Sequence, residues 1–409
     1  MKKRLVLAGS ALVASLGLGV SAVPAVAAQI DASIDCDTGG SQDLIDAINT
    51  ANLNGGGTIE LAKRCTYRFE ESYDGLNALP PITSNIKIVG YESTLIRSVR
   101  GIEFRILRVE EGGSLTLKGV TVTGGLLTVD PNDDDGGADG GGIANEGTLR
   151  LEKSTVAGNQ VTGDGGGISN EGGNVTLVDS RVLTNIAFDQ DGDAADGGGL
   201  SNNAAGTLTI KKSTIAGNTS EEDGGGIQNQ GTLTVEGTLF SKNEARDDDG
   251  AAINNLGNAR IKGSEFVENW AGVEGGAINN DPAGNLTLEV TDSWFSRNVA
   301  GRDGGALNNE GTAILKESTI KGNSAGRDGG GINNEEEDAA DPVVLTLDDT
   351  RVTENRAAGQ GGGINNWVGA EVILKYSKIF DNRPDNCAGD VPGCNSNGNL
   401  AKAKPAKKN

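Results

Sequence analysis

Acidic side chains are the chemically capable groups here, and they are not scattered. They gather immediately ahead of glycine clusters: Asp133, Asp134, Asp135 and Asp139; Asp164; Asp189, Asp191, Asp193 and Asp196; Glu221, Glu222 and Asp223; Asp247, Asp248 and Asp249. Glu274, Asp303 and Asp328 continue the series. Carboxylates brought close together repel, and need a cation or an arginine between them. Arg246, Arg302, Arg327 and Arg356 occur at the same place in the later members, and the earlier ones have none. Hard oxygen ligands on loops suit calcium, and Asp189-x-Asp191-Gly192-Asp193-x-x-Asp196 is the best candidate for a bound Ca2+. The same residues also read as a solvated acidic loop.

The rest of the chemistry is defined by what is missing. There is no histidine among the 409 residues. That removes Ser-His-Asp and Cys-His nucleophilic arrangements and most zinc enzymes. The formal charge of −22 argues against nucleic acid as a partner, because phosphate contacts need clustered Lys and Arg. Arg260-Ile261-Lys262 resembles a polygalacturonase signature, but Ile261 falls on an apolar row and the other signatures are absent. No base is poised by a named neighbour, so no catalytic residue is assigned. Sugar stacking needs exposed aromatics. Trp270, Trp294 and Trp367 are the candidates, and Trp294 precedes an inward Phe295, so alternation turns it outward. Trp294 and Trp270 are taken as sugar contacts, against the alternative of lone surface residues.

What must position these groups is a repeat. The phrase seen at Asp223–Asn243, DGGGIQNQGTLTVEGTLFSKN, begins again at Asp139, Asp164, Asp196, Asp249, Glu274, Asp303, Asp328 and Gln360. Aligning the copies gives three apolar rows, represented by Ile227, Val235 and Phe240. The runs are short, alternating and rich in β-branched residues, as strands are. Each repeat is too short for a strand plus a crossover helix. Three short strands turned at corners fit, so each repeat is one coil and coils stack at about 4.8 Å. Two asparagine rows, through Asn229 and Asn243, suit corners and can bond along the stack. Sixty-four glycines, clustered before the first apolar row, supply the sharp turns.

GGAI at Gly275–Ile278 and FxxN at Phe240–Asn243, Phe266–Asn269 and Phe295–Asn298 resemble the repeats of polymorphic outer-membrane-protein adhesins. The resemblance covers about Asp139 to Asn382. It implies a right-handed parallel β-helix of the pectate-lyase-like kind. No outer-membrane barrel accompanies it, which separates the chain from the family's autotransporters. The same fold hosts lyases, hydrolases, adhesins and inert surface proteins.

In chain order, residues 1–28 read as a secretory signal: Lys2, Lys3 and Arg4, an apolar stretch from Leu5 to Val20, and Ala25-Val26-Ala27 at the cleavage site. Its removal takes the charge from −22 to −25. Residues 29–138 form a cap and the first irregular coils, 139–395 the regular coils, and 396–409 a basic disordered tail. Cys36 with Cys65, and Cys387 with Cys394, suggest a staple at each end in an oxidising compartment. Ser41–Asn52 reads as a short helix capping the open end of the stack, with Ser41 as N-cap. About twelve coils are expected, roughly 55–60 Å of stack. The expectation is a secreted monomer without a membrane span. It would act as an extracellular surface, adhesin-like or structural protein toward a polysaccharide or cell-surface component, with a polysaccharide lyase or glycoside hydrolase as the alternative.

Overall fold

A computed structural model describes residues 30–37, 39–98, 101–128, 138–188, 195–282, 286–336 and 342–394. Each coil hydrogen-bonds to the next in parallel, and the chain is a parallel β-helix of about twelve turns. Three sheets run along the stack. In the coil that starts at Asp223, strand Ile227–Asn229 belongs to one sheet. Strands Thr232–Glu236 and Leu239–Ser241 belong to the second, and Glu244–Ala245 to the third. The second sheet is therefore creased, so that the expected three faces are built from four strand segments per coil.

Register is kept by the apolar rows. Ile227 sits on Ile253, Val235 on Ile261 and Phe240 on Phe266. All are essentially inaccessible to solvent. Phe240, Phe266 and Phe295 stack face to face at 4.8 and 4.6 Å. A fourth inward row, through Leu233, Ala259 and Leu288, and a row of small residues, through Ala245, Ala271 and Ala300, complete the filling.

Corners are held by side-chain ladders. In the first asparagine row, Asn229 Nδ2 donates to Asn255 Oδ1 at 2.8 Å, and Asn255 to Asn280 at 2.8 Å. In the second, Asn243 Nδ2 donates to Asn269 Oδ1 at 3.0 Å, while Asn243 Oδ1 accepts the backbone N–H of Asn218 at 3.1 Å. The left-handed residue is not the asparagine but the one before it, such as Lys242 (φ 56°) or Glu268 (φ 58°). The asparagine can then turn inward and pair, which a buried amide must do. The crease carries a hydroxyl ladder not anticipated from sequence. Ser264 Oγ accepts the Thr238 N–H at 3.3 Å, and Ser293 Oγ that of Ser264 at 3.2 Å. Asp349, a left-handed residue at φ 50°, belongs to this crease, an ordinary strand-end role.

At the N-terminal end, the helix Gly40–Leu53 buries Leu44, Ala47, Ile48 and Ala51. It packs against strands Ile30–Ile34 and Gly56–Leu61. Ser41 is not its cap: Gly39 holds that position, and Ser41 Oγ donates to Arg68 O at 2.8 Å. The expected disulfides are both formed, Cys36–Cys65 and Cys387–Cys394.

Candidate functional site

The acid that opens each coil is followed by a left-handed glycine, Gly224 (φ 62°) after Asp223. A Cβ on Gly224 would stand 2.6 Å from the Ile227 carbonyl, so the turn requires glycine. The tight turn brings the acid back against the wall of the stack. Its Oδ1 then accepts the backbone N–H of the acid one coil further on. Asp164 binds Asp196 N–H at 2.9 Å, Asp196 binds Asp223 at 2.9 Å, Asp223 binds Asp249 at 2.9 Å and Asp303 binds Asp328 at 2.8 Å. The second oxygen takes an amide from the outward face of the first sheet. Gln228 Nε2 donates to Asp196 Oδ2 at 2.7 Å, and Asn254 Nδ2 to Asp223 Oδ2 at 2.7 Å.

The acidic seam expected from sequence is thus a structural ladder in the wall, not a row of carboxylates reaching into solvent. Burial has a cost for charge there. It raises Asp164 well above the usual carboxylate range, with Asp196 and Asp139 adding repulsion. It pushes Asp196 up to about 6 and, with Asp196 beside it, Asp223 up to about 8. Arginines relieve only the later coils. Arg302 pairs with Glu274 at 3.3 Å and Arg327 Nε with Asp303 Oδ1 at 2.9 Å. Arg246 pairs instead with Glu244 at 3.4 Å, and Arg356 lies exposed on its strand.

Of the predicted calcium loop, Asp189, Asp191 and Asp193 lie outside the described residues, as do Asp133, Asp134 and Asp135. Asp196 has both oxygens engaged in the ladder. Among the described residues two other groups of acids converge. Asp223, Asp248 and Asp249 offer oxygens within 4.8 Å of one another, and so do Glu274, Glu310 and Glu335. The second group lies on the outward face of the first sheet. Asn308 Nδ2 donates to Glu274 Oε2 and to Glu310 Oε1, both at 2.7 Å. Burial, followed by repulsion from Glu335, Asp249 and Asp303, pushes Glu274 up to about 9. Burial, followed by repulsion from Asp303, raises Glu335 as well. Its Oε1 is buried without a hydrogen-bond partner. Row-by-row alignment misses this cluster because Glu274 opens its coil whereas Glu310 and Glu335 follow the first-row asparagines of theirs. The recoverable signal is the Asn-Glu pair that ends the first strand at Asn309-Glu310 and Asn334-Glu335.

The same face continues toward Trp367. Asn333 Nδ2 donates to Asn308 Oδ1 at 2.9 Å, and the Trp367 indole N–H donates to Asn333 Oδ1 at 3.1 Å. The Arg327 guanidinium lies 5.7 Å from the centre of the Trp367 ring. Trp270 and Trp294 are outward, 41% and 42% exposed, but belong to different sheets. Arg260 pairs with Glu289 at 2.9 Å and Ile261 is buried, as a core row demands. Open depressions of about 430 and 420 Å³ lie on the creased sheet, by Tyr91 and Lys118 and by Thr234 and Arg260. Neither is lined by the acid ladder.

No family profile matches the chain, and no curated protein matches it in sequence. Among solved structures it is similar to the A-module of the Azotobacter vinelandii mannuronan C-5 epimerase AlgE6. That likeness has 15% identity over 88% of this chain and 94% of the other, with a TM-score of 0.41. It is also similar to the pectate lyase Pel9A, at 13% identity, 82% and 74% coverage and a TM-score of 0.41. A rhamnogalacturonan lyase follows at 13% identity, 82% and 79% coverage and a TM-score of 0.32. No helix among the described residues is long and apolar enough to cross a membrane.

Proposed function

We propose that the protein is an exported, rigid, acidic scaffold that binds an extracellular polysaccharide or cell-surface component and does not turn it over. The observation that carries this reading is the use of the coil acids. Asp196 and Asp223 have both oxygens committed to neighbouring coils, which leaves neither of these two carboxylates free to move a proton to a ligand. Trp294 and Trp270 offer apolar faces to sugar rings on the outside of a scaffold that does not need to move. An acidic surface takes neutral sugars directly and acidic ones through a divalent cation. Calcium fits the cluster of Glu274, Glu310 and Glu335, where the buried Glu335 Oε1 lacks a donor. Asp189, Asp191, Asp193 and Asp196 are the second candidate for it.

The alternative is a polysaccharide lyase or hydrolase. It is favoured by Glu274, a carboxyl held protonated beside Glu310 and Glu335, with Arg302 at 3.3 Å. The purified chain, incubated with neutral and uronate-rich polysaccharides with and without calcium, separates the two. Retention on the polymer without new reducing ends or unsaturated products supports the scaffold. Product formation that Glu274→Gln abolishes replaces it with the enzyme.

A further inference from the structure

Every strand of the creased sheet is covered by the coil before and the coil after it, except at the ends. The last second-row strand, Glu371–Lys375, pairs with Val344–Asp348, and no described strand pairs with its other side. Glu371 N–H bonds to Val343 O at 2.9 Å, and Lys375 O accepts the Asp349 N–H at 2.8 Å. In a parallel ladder a residue's N–H and C=O point to the same neighbour. Glu371, Ile373 and Lys375 are therefore committed to the preceding coil, and the polar groups of Val372 and Leu374 face out along the axis. The core is less fully covered at the same place, although Val391 and the Cys387–Cys394 disulfide pack against it from the last loop. Leu374 is only partly buried, whereas Leu315 and Leu347 in its column are fully buried. The other end is closed by Leu44 and Ile48 of the helix, and the first sheet is closed by strand Cys387–Ala388. A bare edge of this kind is a template for another strand.

The sequence of the edge identifies that strand. Glu371-Val372-Ile373-Leu374-Lys375 has opposite charges at its two ends and aliphatics between. Laid antiparallel on itself about Ile373, it puts Glu371 opposite Lys375 of a second copy. Val372 then faces Leu374 of that copy, as the pair that exchanges backbone hydrogen bonds. Other registers lose the match of charges. We propose that two copies of the chain join end to end through this strand, about a twofold axis, so that this half of the creased sheet continues from one stack into the other. The expectation of a monomer is replaced by a closed, isologous pair, which cannot grow further because its other ends carry helices.

Sedimentation and small-angle scattering of the purified chain from about 1 to 100 µM test this. The expected species is a dimer about 115 Å long, twice the stack of one copy. Glu371→Lys or Lys375→Glu alone sets like charges opposite each other twice and is expected to weaken association about tenfold. The double reversal restores the match and the affinity. Both residues are exposed, so the single variants stay folded, and Glu371→Lys, which stands beside Val344 rather than Asp348 in its own chain, is the cleaner of the two. A chain that is monomeric at 100 µM overturns the proposal. So does a dimer of single-stack length, or one that the single reversals leave equally tight.

Discussion

Asn308 lies one coil beyond Glu274 and donates its Nδ2 to Glu274 Oε2 at 2.7 Å. The contact holds a buried carboxyl among Glu310, Glu335 and Asp303, with Arg302 and Arg327 to oppose them from the same corner. Charge there is disfavoured by burial first and by its acidic neighbours second.

Stability is therefore expected to fall as pH rises. A carboxyl whose folded pKa is raised binds its proton more tightly folded than unfolded. Its contribution is full below about pH 4, where both states are protonated, and is lost as pH climbs to the folded value. Asp196 at about 6, Asp223 at about 8 and Glu274 at about 9 spread the loss between pH 4 and 9. Melting temperatures recorded from pH 5 to 9 should decline steadily. Glu274→Gln should flatten the upper part and stabilise the chain at pH 9 by about 1–2 kcal/mol. A melting point that rises over this range contradicts the buried-acid account.

Asn243 makes a sharper test of the corner. Its Nδ2 donates to Ile215 O and to Asn269 Oδ1, each at 3.0 Å, and its Oδ1 accepts both nitrogens of Asn218 at 3.1 Å. Asn243→Ala strands buried donors and acceptors on both neighbours, at about 1–3 kcal/mol for each group left unpaired. The expected loss in denaturant unfolding is about 2–4 kcal/mol. Hydrogen exchange should quicken first at the Asn218 amide, because a stack of this kind loosens locally.

Phe266 fills the middle of a stack of three parallel rings. Phe266→Ala should cost about 3–5 kcal/mol, more than the same change at either outer ring of the trio, since two ring contacts are lost rather than one. Chemical denaturation of the three alanine variants checks the order.

Calcium, if it occupies the Glu274, Glu310 and Glu335 cluster, should raise the melting temperature in proportion to the logarithm of its concentration once above Kd. At 100 times Kd the gain is about 2.7 kcal/mol. Glu335→Gln should remove that gain while leaving any effect at Asp189, Asp191 and Asp193 in place. Equal calcium response in both proteins would exclude this cluster.

Trp294→Ala and Trp270→Ala should each weaken retention on a bound polysaccharide several-fold while leaving stability within about 0.5 kcal/mol, because both rings are outward. Affinity electrophoresis beside thermal melting reads the two effects separately.

Much of the architecture was legible in the residues alone. In a stack, the same position of successive repeats becomes a spatial contact, so a column in an alignment is a column in the molecule. Ile227 over Ile253 and Asn229 bonded to Asn255 follow from that one-dimensional rule, and the two cysteine staples follow from their placement at the two ends of the chain. The acids escaped it. Whether Asp223 faces water or the next coil depends on the direction its side chain takes around the left-handed Gly224, which spacing does not encode. The meeting of Glu274 with Glu310 and Glu335 depends on how far corners at different offsets fold back over one face. The open edge at Leu374 depends on where the last loop comes to rest. The repeat determined which residues stack, because identical rungs can only pile in register. Tertiary structure decided which carboxylates keep their charge, because that depends on burial and on partners drawn from other rungs.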